Sequence, residues 1–358
     1  MNDYYNADEI DTAVINLATK YPGLAHAKAL PHPTAQGRIC HALYVGLGVP
    51  GSKAVVMIVG GAHGFEWGSS EIALNLAAAL LESLQTQADL RYSQWQCSAV
   101  QVQDLLENLH LVIFPLVNPD GRVHSQTIDG VWRKNRNPAY SRGDPTKVGV
   151  DVNRNFDFLF DFKLAFAAGS GVSTSSNMAE DVYQGPAAFS EAETQNVRWL
   201  LDTFTATRWF IDLHSAGNTV LHVWGHDQTQ TTDKAKRFDN PVFDGQRGLP
   251  GPGYLEYMDP ADLLQVQQLG QALADNLQQV RDTTYQVKPA FENYGTSGAS
   301  HDYVYSRPGV GANKSKVLAF VVEWGSEQQP DFPEMSDVVK EVTAGLIGFC
   351  RAASQTIQ

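Results

Sequence analysis

Apolar residues return along this chain in two rhythms. In one they form short, nearly unbroken runs, such as VVMIV (Val55–Val59), LHLVIF (Leu109–Phe114), RWFIDL (Arg208–Leu213) and VLAFVV (Val317–Val322). In the other they recur every three or four positions, as at Ile10, Val14, Ile15 and Leu17, or through ADLLQVQQLGQALADNLQQV. The first rhythm predicts strands buried on both faces, and the second predicts helices with one buried stripe. In chain order this gives a helix over Asp8–Lys20 that stops before Pro22, then strands in GRICHALYVG and KAVVMIVGG. Those two strands read as neighbours joined by the turn LGVPGS. A helix with a serine start follows in SSEIALNLAAALLESL, then a strand in LHLVIFPLVNP and a long polar loop over Asp120–Asp144. The next helix begins near Ser190, where Ser190-x-x-Glu193 has the form of a capping box. Strands RWFIDLHS and NTVLHVWG precede a polar excursion over Gly225–Pro260, and after it come a helix, the strand VLAFVVEWG and the closing helix SDVVKEVTAGLIGFC. Strands alternate with helices, and no linker, repeat or low-complexity tract divides the chain. The pattern predicts a single α/β/α domain over residues 1–358.

Composition narrows the function classes. A net charge of -13 argues against nucleic acid and against anionic lipid as partners, since both need basic patches. Three scattered cysteines, Cys40, Cys97 and Cys350, make neither a disulfide framework nor a CxxC metal site. No apolar run approaches the roughly 20 residues of a membrane helix. The N-terminus has an acidic start and no signal-peptide core, so the expected compartment is the cytoplasm unless a leader has been removed.

Chemistry gathers where strands end. In VVMIVGGAHGFEWGSSE the buried run breaks at Gly60-Gly61 and sets down His63 and Glu66. Alone, His-x-x-Glu is weak: ten histidines supply about half a match by chance, and a surface turn is the plain alternative. Its place at a strand's carboxyl end adds weight, because α/β sheets hold their ligands there. A second strand ends at His214 in RWFIDLHSAG. Two histidines and a carboxylate are the protein ligands of a catalytic zinc site, with water in the fourth position. Glu323 follows six apolar residues, where a carboxylate is costly unless paired or functional. It is either half of a buried ion pair or a general base. Asp151, Asn153 and Arg154 in DVNRNFD suit a carboxylate ligand, or form a solvated salt bridge. Arg133 in WRKNR is a further cation in the long loop.

These segments resemble, in order and over nearly the whole chain, the zinc carboxypeptidases of the carboxypeptidase A/B type, the funnelin metallocarboxypeptidases. The carriers are HGFE, NPDG, WRKNR, DVNRNFD, LHS, NYGTSGASHDY and VVEWG. The resemblance implies a mixed, largely parallel central sheet with the active site at the C-terminal ends of its strands. It makes His63, Glu66 and His214 the ligands of one Zn2+ per chain, Glu323 the general base and Arg133 the group that polarises the scissile carbonyl. It also implies that Asn153 and Arg154 grip the substrate's terminal carboxylate, that Tyr294 caps it, and that Asp151 orients the first zinc histidine. The implied partners are peptides with a free C-terminal carboxylate.

The chain departs from that family in places. Digestive members carry an arginine where this chain has Phe65, and a Ser-Tyr pair where it has Ser215-Ala216. The position that sets side-chain preference falls at His301, which matches neither the acidic residue that goes with basic side chains nor the aliphatic one that goes with apolar ones. Thr296 adds polarity to the same wall. The catalytic domain is expected to begin within the first ten or so residues, with no propeptide. Seven further histidines (His26, His32, His41, His110, His124, His222 and His226) read as ordinary strand or loop residues. The alternatives are a murein-peptide amidase or N-acyl amino acid deacylase on the same fold, or a catalytically silent binding protein. Asn153, Arg154 and Tyr294 together weigh against a deacylase, and the retained base and ligands weigh against silence.

Overall fold

A computed structural model describes residues 4–49, 51–310 and 314–357. The chain opens with helix α1 (Ala7–Lys20), whose first turn is closed by a reciprocal box between Asn6 and Glu9, a cap of about 1 kcal/mol. Strands β1 (Ala25–Ala29), β2 (His41–Val45) and β3 (Ala54–Gly60) follow, then α2 (Gly68–Thr86) and a small hairpin of β4 (Leu90–Tyr92) and β5 (Trp95–Cys97). Next come α3 (Ala99–Asn108), β6 (Leu109–Phe114), α4 (Pro119–Thr127), α5 (Phe162–Ala165), α6 (Ala192–Thr203), β7 (Thr207–His214) and β8 (Thr219–His222). The short β9 (Thr229–Gln230) and β10 (Glu256–Tyr257) pair in parallel. The chain closes with α7 (Pro260–Arg281), β11 (Gln286–Pro289), α8 (Ser300–Val310), β12 (Leu318–Glu323) and α9 (Phe332–Gln355).

Eight strands form one sheet in the order β1-β2-β6-β3-β7-β12-β8-β11. Four of its seven pairings are parallel, so the sheet is mixed and mostly parallel, as expected. Residues Val55 to Val59 of β3 are all buried; each such side chain is worth roughly 1.5–3 kcal/mol out of water, which confines this run to the centre. Helices flank the sheet: α9 packs on both α2 and α7, and α8 lies on β7 and β12. The centre of the sheet decides where chemistry can occur. Strands β3, β7 and β12 are parallel neighbours, with Gly60 beside Leu213 and Glu323 beside His214. Their carboxyl ends therefore open side by side.

Several expected elements differ. The strands β2 and β3 are not neighbours, because β6 lies between them. A parallel partner for β3 needs a long crossover, and the α2–α3 excursion supplies it by returning the chain as β6. The expected connecting turn includes Pro50, which lies outside the described residues. The supposed polar loop after β6 begins with helix α4, and His124 sits in it. Its polarity misleads because its charged residues are buried in pairs: Asp120 accepts from Thr34, Gln36 and Arg38, while Arg122 donates to Trp67, Tyr5 and Glu71. Helix α2 has no serine cap, since Trp67 holds the cap position. At α6 the capping box does not form; Glu191 is the cap residue, and the Ser190 hydroxyl donates to its carboxylate instead. The 225–260 excursion carries β9 and β10 and a buried cluster of His226, Arg247 and Glu256. Strands β1 and β11 and helix α8 were not legible as elements.

Candidate active site

The loop after β3 turns at Gly61, whose φ of +67° a side chain would strain. It brings His63 and Glu66 back across the end of the sheet, and Gly64 between them has no room for a Cβ, which would lie 2.6 Å from the Gly121 carbonyl oxygen. The Gly64 N–H donates to the Arg133 carbonyl at 2.9 Å, tying this loop to the segment after α4.

His63 Nδ1 lies 2.8 Å from Glu66 Oε1, His214 Nδ1 lies 2.8 Å from Glu66 Oε2, and the two Nδ1 atoms are 3.1 Å apart. All three side chains are buried. Two bare imidazole nitrogens and a carboxylate this close repel one another unless a cation or a proton stands between them, so the arrangement suits a zinc ion. The outward nitrogens also meet carboxylates. His63 Nε2 is 3.3 Å from Asp151 Oδ1, and His214 Nε2 is 3.1 Å from Asp212 Oδ2.

Asp151 is a junction. Its Oδ2 accepts from Arg133 Nε at 2.9 Å, and its Oδ1 from the Asn153 N–H at 2.9 Å, opening the 3-10 turn Val152–Arg154. Burial alone would raise its carboxyl, but Arg133 and Arg154 outweigh that and hold it well below the usual range. The Glu323 carboxylate, unlike its backbone in the β12 ladder, has no hydrogen bond among the described residues. Burial pushes its carboxyl up to about 7, against the pull of His214 and Arg133.

Beside this lies a cationic recess. Arg154 is buried, with Nη1 donating to the Asn153 carbonyl at 2.7 Å and Nε to the Ser173 carbonyl. Its guanidinium carbon stands 5.9 Å from the Tyr294 ring, which is 49% exposed. Asn153 Oδ1 accepts from the Ser300 N–H at 2.8 Å, and Asn153 Nδ2 is 3.2 Å from His214 Nε2. The structure thus gathers His63, Glu66, His214, Asp151, Arg133, Asn153, Arg154, Tyr294 and Glu323 at one end of the sheet. His301 is in the first turn of α8, buried, with neither ring nitrogen bonded. It packs where a side chain on Gly225 would be, 2.2 Å from the place of its Cβ, and Thr296 closes the same wall.

Three residues escaped sequence reasoning. Asp212 sits two positions before His214 in a buried strand, hence on the same face; the argument applied to Glu323 would have found it. Gln329 donates through one amide nitrogen to the carbonyls of Phe65 and Gly130, strapping the ligand loop to the Arg133 loop, with no signal in the sequence. Asn135, next but one to Arg133, donates to both Glu191 and Glu193 at 2.7 and 3.1 Å and so anchors that loop to α6.

This anchor carries a pH signature. Burial, and then the charge of Glu191, push the Glu193 carboxyl up to about 8. The folded chain keeps a proton there that the unfolded chain releases at the ordinary glutamate pKa. The stabilisation is therefore whole below about pH 4.5 and is lost as pH rises through about 8. Glu193→Gln mimics the protonated form and should flatten that decline by an amount on the order of a few kcal/mol. Melting curves of both proteins at pH 5 and pH 8.5 check this; a Gln variant that loses as much stability as the wild type between the two would refute it.

Comparison with known proteins bears on this site. A family profile described as zinc carboxypeptidase matches residues 10–345. A carboxypeptidase B of Helicoverpa zea is 33% identical over 177 residues, covering 49% of this chain and 35% of that protein. Carboxypeptidase A2 of Mus musculus is 26% identical over 303 residues, covering 84% of this chain and 59% of that protein. The chain thus spans less than two thirds of the length of these relatives. The crystal structure of the carboxypeptidase A from Helicoverpa armigera covers 99% of this chain and 74% of its own, with a TM-score of 0.74 and 23% identity, and shares the fold.

Proposed function

We infer that this chain, which belongs to the zinc carboxypeptidase family, hydrolyses the last peptide bond of peptides that end in a free carboxylate. The observation that carries the reading is adjacency. A metal-ligand triad, an unpaired carboxylate and a buried guanidinium open at one sheet end, with Asn153 3.2 Å from the ligand His214. Zinc held by His63, Glu66 and His214 would supply an acidified water and a Lewis acid for the carbonyl oxygen.

The residues then divide the work. Glu323 accepts the proton of the attacking water and returns it to the leaving amine, a task suited to a carboxyl poised near neutrality. Arg133 keeps its charge through the Asp151 contact and meets the oxyanion that develops on the carbonyl. Arg154 and Asn153 receive the terminal carboxylate, and Tyr294 closes over it. Because the clamp fixes register, only the final bond reaches the reacting groups. Peptides are the proposed partners. Among the described residues no helix is long and apolar enough to cross a membrane.

Incubation with a mixed peptide library tests the reading. Mass spectrometry should show products shortened one residue at a time from the C-terminus, and a zinc chelator should suppress them. Internal cleavage, or an intact library after prolonged incubation with zinc, would overturn it.

A further inference from the structure

A histidine nitrogen that binds a metal must be bare, so the proton of the neutral ring sits on the other nitrogen. In His214 the atom facing Glu66 and His63 is Nδ1, which leaves the proton to Nε2. Two side chains stand at Nε2: Asp212 Oδ2 at 3.1 Å and Asn153 Nδ2 at 3.2 Å. The amide's orientation is fixed, because its oxygen accepts from the Ser300 backbone N–H at 2.8 Å. Its nitrogen is therefore the atom turned to His214, and two N–H groups cannot bond one another. Only the carboxylate can accept the Nε2–H hydrogen bond.

Asp212 is itself braced. The Ser300 hydroxyl donates to the same Oδ2 at 2.5 Å, and both residues are buried. Its other oxygen, Oδ1, has no partner. A buried carboxylate with one oxygen unbonded is costly where packing alone is wanted, and an apolar residue would serve β7 better.

We propose that Asp212, braced by Ser300, is a positioning residue that holds His214 in the tautomer whose bare Nδ1 faces the metal. By accepting the hydrogen bond from Nε2–H it also leaves the Asn153 amide hydrogens for the substrate carboxylate. Each metal histidine then has its own carboxylate, Asp151 behind His63 and Asp212 behind His214. Ser300 links the two functions, since its hydroxyl serves the ligand and its N–H serves the clamp. This inference rests on the metal-site reading above.

The test measures zinc affinity with no peptide present. Zinc-free wild type, Asp212→Asn and Ser300→Ala compete for zinc against a chromophoric chelator. Loss of a carboxylate behind a metal histidine typically weakens binding about 10- to 100-fold, and Asp212→Asn should fall in that range, with a smaller loss in Ser300→Ala. Cobalt(II) in place of zinc should show shifted visible bands in Asp212→Asn. A merely structural residue would instead lower the melting temperature of the zinc-free protein and leave affinity and spectrum alone. Unchanged zinc affinity in folded Asp212→Asn, or in Ser300→Ala if the first variant does not fold, overturns the proposal. A wild type without zinc affinity overturns the metal reading and this proposal with it. A wild type that binds zinc yet leaves peptides intact overturns the proposed activity alone, and the affinities of the variants still decide the role of Asp212.

Discussion

Glu323→Gln should keep its zinc and lose turnover by roughly 100- to 10,000-fold, the usual worth of general acid-base help. The substitution preserves shape and replaces the basic carboxylate with an amide too weakly basic to take the proton. Metal content should hold, because Glu323 is not among the three clustered ligands, although it pairs in register with His214 on the next strand. Its carboxyl rises toward 7 through burial, and a bound cation would favour the ionised form and bring it lower. The base works only when deprotonated, so wild-type turnover should fall on the acid side of neutrality. The variant should lose that limb together with its rate. Steady-state turnover against pH, with metal content measured on the same samples, decides it. Near-normal turnover in a zinc-loaded Glu323→Gln would assign the base elsewhere.

The second large effect concerns the substrate's end. Amidation of a good peptide's C-terminus should cost about 2–5 kcal/mol, the range for leaving one partner of a buried charged pair alone. That corresponds to a fall in kcat/KM of roughly 30- to several thousand-fold. The Arg154 guanidinium is pinned by two backbone carbonyls and cannot follow a ligand that no longer carries charge. Arg154→Ala should damage cleavage of free-acid peptides severely, leave zinc content intact and shrink the gap between free and amidated substrates. Equal rates on both peptides with the wild type would refute an exopeptidase and favour an amidase that ignores the terminus.

Much of this site was legible because each piece interrupts a regular pattern. His63 follows the break in a buried run, His214 ends one, and Glu323 is a carboxylate where only apolar residues are cheap. The central strands were legible for the same reason: a strand buried on both faces must be written in valine, isoleucine and leucine. Order within the sheet was not, since β2 and β3 are close in sequence and separated in space by a strand that arrives later. Helix α4 was hidden because ion pairs, rather than apolar residues, satisfy its buried side. Asp212 obeyed the rule that exposed Glu323 and was passed over. Gln329 acts through backbone carbonyls of other loops, and such partners leave no trace in side-chain order.

The spacing of the ligands along the chain has a consequence for how the protein survives. His63 and His214 lie 151 positions apart, and one zinc ion would join them only once β3 and β7 have paired. An unfolded chain closes so long a loop at a penalty, so zinc selects the native form over the denatured one. At free zinc 100-fold above its dissociation constant, that preference adds about 2.7 kcal/mol to folding. On the proposed reading, metal supply would govern how long the polypeptide escapes degradation as well as how fast it turns over. Zinc-starved molecules should be the first removed by proteases that act on transiently opened chains.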